Sequence, residues 1–149
     1  MTTCHTCELV ARRDTGSAPL WDHILRTSGW DLVHCYGTSL EGWLVLALRR
    51  HASCLAELTE AEAQELGPLI RSVSRALSEV VACTKTYAVQ FAESPEHQHV
   101  HVHLIPRAAE LPPELKGPGI FALLGLPPEQ CVTDARMDAI ARAVQERLA

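Results

Sequence analysis

The chain has 149 residues, 47% of them hydrophobic and 21% charged, with a formal net charge of −5. That length and balance predict one soluble globular domain over residues 1–149, with a core that needs no staples. The acidic charge speaks against extended nucleic-acid binding, and the apolar run Trp43–Leu48 is too short to span a membrane.

The N-terminus, MTTCHTCELVARRD, lacks the basic start and apolar stretch of a secretion signal. A cytoplasmic, reducing location is therefore expected, with the six cysteines present as thiols or metal ligands rather than disulfides. Only Cys4 and Cys7 have an informative spacing: CxxC reads as half of a metal site, as a redox dithiol or as a chance pair. Cys35, Cys54, Cys83 and Cys131 are isolated and read mostly as small buried residues.

Leu20–Arg26 and Trp30–Tyr36 have the composition of strands, separated by the turn-like Thr27-Ser28-Gly29. Trp43–Leu48 is a denser apolar strand that ends in Arg49, Arg50 and His51. The period then changes. Thr59 and Glu62 form a capping box, behind which Leu66, Leu69, Ile70, Val73, Leu77, Val80 and Val81 recur at helical spacing. A strand around Thr86–Ala92 follows, joined to the next through Glu93-Ser94-Pro95-Glu96, a connection short enough for an antiparallel pair. The proline- and glycine-rich stretch Leu111–Pro128 predicts an irregular covering segment. From about Asp134 a last amphipathic helix presents Met137, Ile140, Ala141, Val144 and Leu148 on one face. The architecture expected is α+β: an antiparallel sheet with one long helix packed on it, plus a C-terminal helix.

Residues 97–107 read HQHVHVHLIPR. Alternate residues of a strand share a face, so a strand beginning at His97 would put His97, His99, His101 and His103 on one side and the valines on the other. Such a row of imidazoles can be a polar wet face, a metal chelator or a nucleophilic site in which one ring attacks phosphorus or a carbonyl. Strict alternation of four histidines argues against the first.

The segment His99-Val100-His101-Val102-His103-Leu104-Ile105, followed by Pro106-Arg107, resembles the motif of the histidine triad (HIT) superfamily. The CxxC near the N-terminus, the strand ending at His51, the long helix and the following strand fall in the order of that family, over about residues 4–107. Residues 108–149 form a C-terminal covering segment and helix outside the resemblance. The resemblance implies that His101 is the nucleophile of a covalent nucleotidyl-histidine intermediate, that His103 stabilises charge on the transferred phosphoryl group, and that His99 orients the nucleophile or binds metal. In the zinc-containing branch it resembles, Cys4, Cys7, His51 and His99 would make a closed, structural Cys2His2 zinc site. It also implies a homodimer and a small-molecule substrate, a nucleotide phosphoramidate, dinucleoside polyphosphate or nucleotide conjugate.

The chain departs from the family pattern at three places. Cys35 stands where an Asp or Asn holds the ribose hydroxyls, Trp43 where a histidine is frequent, and Glu96 where a hydroxyl contacts the phosphate. The remaining candidates for substrate contact are Gln90, Ser94, Glu96, Gln98 and Arg107. The departures motivate an alternative, a metal-dependent enzyme on the same fold. It would use His97, His99, His101, His103 and Glu96 on a substrate without a nucleotide.

Overall fold

In the computed structural model, which describes residues 3–149, five strands form one antiparallel sheet. The elements are α1 (His5–Asp14), β1 (Leu25–Arg26), β2 (Trp30–His34), β3 (Leu44–Leu48), α2 (Glu60–Val80), β4 (Lys85–Val89), β5 (His101–Arg107) and α3 (Asp134–Leu148). The strand order is β1-β2-β3-β5-β4. The α+β architecture expected from the sequence is the one observed.

Strand alternation divides the core in two. Leu44, Leu46 and Leu48 of β3, with Val102 and Leu104 of β5, face α2 and α3, where Val73, Leu77, Ile140 and Val144 complete a buried cluster. On the opposite face Val33, Trp43, Val45 and Ile105 pack against Ile120 of the segment that follows β5, with Phe121 and Leu124 at its margin. That segment runs as short 3-10 turns, including Gly117–Leu123, and covers the sheet as its composition predicts.

Helix α2 begins at the capping box: Thr59 Oγ1 accepts from Glu62 N at 3.2 Å and Glu62 Oε2 from Thr59 N at 2.8 Å. It continues through Gly67-Pro68 because both residues are exposed there, and water can satisfy the carbonyl that Pro68 leaves unpaired. No helix among the described residues is long and apolar enough to cross a membrane.

Two sequence expectations need correction. Leu20–Arg26 is not one strand; Leu20–Asp22 is a 3-10 turn, and only Leu25–Arg26 pairs with β2. The N-terminal region, for which the sequence predicts no element, forms the helix α1, with acidic Glu8 in its first turn and Arg12 and Arg13 in its last, as the helix dipole favours. Its far end is tied by buried Arg13, which pairs with Asp22 at 2.7 Å and Asp31 at 3.4 Å. Arg12 also pairs with Asp22, and Arg26 with Asp31 at 2.6 Å. Finally, β5 begins at His101, four residues later than a strand from His97 would. Residues 97–100 instead turn back, with His99 N donating to His97 O at 2.7 Å.

Candidate metal centre and candidate active site

The end of β3 and the segment before β5 meet through two backbone bonds, Leu48 N to Val100 O at 3.0 Å and Val100 N to Ala52 O at 2.8 Å. They bring His99 beside His51. Cys4 and Cys7, one turn apart at the start of α1, approach from the other side. The four ligand atoms lie within 4.8 Å of one another. Cys4 Sγ is 3.4 Å from His99 Nδ1, and Cys7 Sγ is 3.4 Å from His51 Nδ1 and 3.5 Å from His99 Nδ1. Tetrahedral zinc, with bonds of about 2.3 Å to sulfur and 2.0–2.1 Å to nitrogen, requires sulfur–nitrogen separations of about 3.6 Å. His99 Nε2 donates to Leu48 O at 2.7 Å, which leaves the Nδ1 lone pair facing the thiols. Burial, with Cys4 adjoining, pushes Cys7 up to about 11, so without a cation the Cys7 thiol stays protonated. Donor chemistry, separations and outer hydrogen bond all fit zinc.

Two residues on, the imidazole polarity is reversed. His101 Nδ1 lies 2.6 Å from His99 O; a carbonyl only accepts, so Nδ1 carries the proton and Nε2 is bare. Burial lowers the His101 pKa and keeps the ring neutral. The His103 ring centroid is 5.0 Å from that of His101. Trp43 Nε1 donates to His103 Nδ1 at 3.0 Å, so His103 holds its proton on Nε2. Burial, helped by His101 and His97, drives His103 down to about 3. His97, outside the strand, stands 6.3 Å from His101 and shares a 2.9 Å hydrogen bond with the buried Thr6 of α1.

His97, His101 and His103 line a cleft of about 640 Å³. Thr6, Leu9 and Arg13 of α1 form one wall, Val33, Val45 and Ala47 of the sheet the floor, and Phe91 and Phe121 another side. Ser94 and Glu96 line it too, at its exposed rim beside Glu93. Gln90, Gln98 and Arg107 do not. Gln90 follows the end of β4, Gln98 is exposed, and Arg107 lies at the far end of β5, bonded to Thr84 at 3.1 Å. Cys35 is in the cleft wall, where burial pushes its thiol up to about 12. His97, His101, His103 and Glu96 do not gather into a metal-holding group; among the described residues only the Cys4, Cys7, His51, His99 set does so. The donor set of the alternative metal-dependent site is therefore not assembled.

The sequence places Trp43 at the head of an apolar strand and points to no role for Thr6. Trp43 is indeed fully buried, but its indole N–H reaches across the sheet to His103. A buried tryptophan needs a hydrogen-bond acceptor, which was the one available signal.

No family model and no curated protein matches the sequence. Solved structures do match by shape. A Hit-like protein involved in cell-cycle regulation from Bartonella henselae superposes with a TM-score of 0.69 at 13% identity, over 93% of both chains. A zinc-bound histidine triad family protein from Mycobacterium smegmatis gives 0.65 at 14%, over 97% of this chain and 92% of the other. A hypothetical histidine triad nucleotide-binding protein from Sulfolobus tokodaii gives 0.69 at 14%, over 95% and 91%.

Proposed function

We propose, for a chain with the fold of histidine triad proteins and a motif that resembles theirs, a hydrolase or transferase acting on nucleotide phosphoramidates, dinucleoside polyphosphates or nucleotide conjugates, with His101 as nucleophile. The observation that carries this reading is the hydrogen bond from His101 Nδ1 to His99 O. It supports a neutral ring with an available Nε2 lone pair inside a cleft large enough for a small-molecule substrate.

In the first step the Nε2 lone pair forms a bond to phosphorus. The bond from phosphorus to the leaving group breaks, and that group departs with the electron pair and takes up a proton. In the second step the oxygen of water or another acceptor bonds to phosphorus. The nitrogen–phosphorus bond breaks back onto Nε2, and the acceptor's proton passes to solvent. His103, neutral with its proton on Nε2, donates to a phosphoryl oxygen whose charge grows in both steps. Glu93, Ser94 and Glu96 are the polar side chains of the rim available to the leaving group.

Cys4, Cys7, His51 and His99 would hold zinc, which supplies a closed four-coordinate tie rather than an open position for chemistry. His99 serves twice: its ring is a ligand, and its carbonyl orients the nucleophile. Purified protein incubated with adenosine phosphoramidate and with a diadenosine polyphosphate should release AMP and carry an adenylyl group on His101, detectable by mass spectrometry. His101→Ala should lose the release by roughly 10³-fold or more. Undiminished AMP release by that variant would refute the assignment.

A further inference from the structure

We propose that the cleft binds its substrate through a flat apolar group joined to a phosphoryl group, and that it does not read sugar hydroxyls. The substrate class is then phosphoryl conjugates of aromatic or apolar groups, nucleotides being one case. This rests on the reading of His101 given above.

The polar side chains of the cleft differ in what they leave free. His97, His101 and His103 keep polar atoms open within it, while Glu93, Ser94 and Glu96 hold theirs at the exposed rim, where water competes for a sugar hydroxyl. The buried polar side chains of the lining are already engaged. Both Asp22 oxygens accept from Arg12 and Arg13, and Arg13 spends its remaining nitrogen on Asp31. His34 donates through Nδ1 to Cys35 O at 2.7 Å and accepts through Nε2 from Gly42 N at 3.0 Å. The Cys35 thiol points to Tyr36 O at 3.5 Å. None of these groups can clasp a vicinal diol without giving up a buried partner, which is costly. The Tyr36 hydroxyl is a single group and cannot grip two neighbouring hydroxyls as a carboxylate does.

The cleft offers open aromatic surface instead. Tyr36 is 44% exposed and Phe91 55%, two of the three large apolar side chains left open among the described residues, and both border the cleft. Phe91 lies 5.3 Å from Phe121, and Phe121 lies 5.4 Å from His103. A row of rings thus leads from the cleft mouth to the imidazoles. A flat ligand ring laid on Phe91 would cover exposed apolar area and point its phosphoryl group toward His101 and His103.

The test is calorimetric binding to the zinc-loaded protein of four ligands: AMP, its 2′,3′-dideoxy counterpart, 1-naphthyl phosphate and ribose 5-phosphate. AMP and the dideoxy nucleotide should bind within about threefold of each other, naphthyl phosphate at least as tightly, and ribose 5-phosphate at least about thirtyfold more weakly. Phe91→Ala and Tyr36→Ala, both at open positions that folding does not require, should each weaken AMP and naphthyl phosphate by about threefold to tenfold. A dideoxy nucleotide binding tenfold or more weakly than AMP, ribose 5-phosphate matching AMP, or no binding by any of the four would overturn the proposal. Binding needs no turnover, so failure of the His101 chemistry would show in the adduct assay and leave this result separate.

Discussion

The clamp around His99 and the cleft around His101 are built from imidazoles two residues apart in one segment, yet their tautomers are opposite. His99 gives its Nε2 proton to Leu48 O and turns Nδ1 toward two thiols. His101 gives its Nδ1 proton to His99 O and keeps Nε2 for the cleft. In each ring a carbonyl chooses which nitrogen is bare, and position then decides whether that nitrogen meets sulfur or the open cleft. Residue type alone would make the two interchangeable; the backbone acceptor distinguishes them.

The sharpest way to break that comparison is to remove each ring in turn. His101→Ala is expected to lose turnover while its zinc content and unfolding midpoint stay those of the parent. His99→Ala should lose zinc and about 3 kcal/mol or more of stability. Metal analysis and urea denaturation of both variants check this, and an equal loss of stability would erase the distinction.

The next effect is of pH. Burial holds His34 below its ordinary range and His103 down to about 3, so both are neutral in the fold. As pH falls below 6.5 the unfolded chain binds protons that the folded chain refuses. Stability from these groups is therefore full above 6.5 and declines toward acid, by up to about 1.4 kcal/mol per histidine per pH unit. Glu57 and Glu62, held down to about 2 by their hydrogen bonds and the Arg50 pair, add their own loss only below about 4.5. A urea midpoint that is flat between pH 7 and 5 would contradict buried neutral histidines.

Smaller is Trp43→Phe, which keeps an aromatic ring and removes the N–H that sets the His103 tautomer. Turnover should fall about tenfold, the worth of a hydrogen bond of roughly 1.4 kcal/mol. Nitrogen NMR of His103 should then show both tautomers, and an unchanged spectrum would remove Trp43 from the site. Smallest is His97→Val, which should change KM by about twofold to threefold and leave kcat alone. A collapse of kcat instead would move His97 from the wall into the chemistry.

The parts legible in the sequence were those written in local pattern. The Thr59–Glu62 box and the apolar spacing behind it gave α2, and the face from Met137 to Leu148 gave α3. Alternation showed that His101 and His103 share a face, and the cysteine pair with His51 and His99 gathers as expected. What escaped depended on distant partners. Helix α1 buries only Thr6, Val10 and Arg13, so it has no apolar stripe to announce it, and its ties to Asp22 and Asp31 come from elsewhere in the chain. His97 lies off the strand because His99 is drawn toward Leu48 and the thiols before regular pairing begins. A strand continuing to Ala92 would carry Gln90 beside the histidine strand. The strand ends at Val89, and Ala92 adopts a left-handed φ of 56° where the chain turns.

Helix α1 has an evolutionary consequence. It meets the cleft through Thr6, Leu9 and Arg13, and it is held at one end by Cys4 and Cys7 and at the other by the Arg13 ion pairs. The sheet, with both central imidazoles, is built without it. Leu9 sits between those two anchors, and a substitution at that position would alter what the cleft admits while leaving the histidine strand intact. Selection could thus retune selectivity through a ten-residue helix that carries none of the three cleft imidazoles.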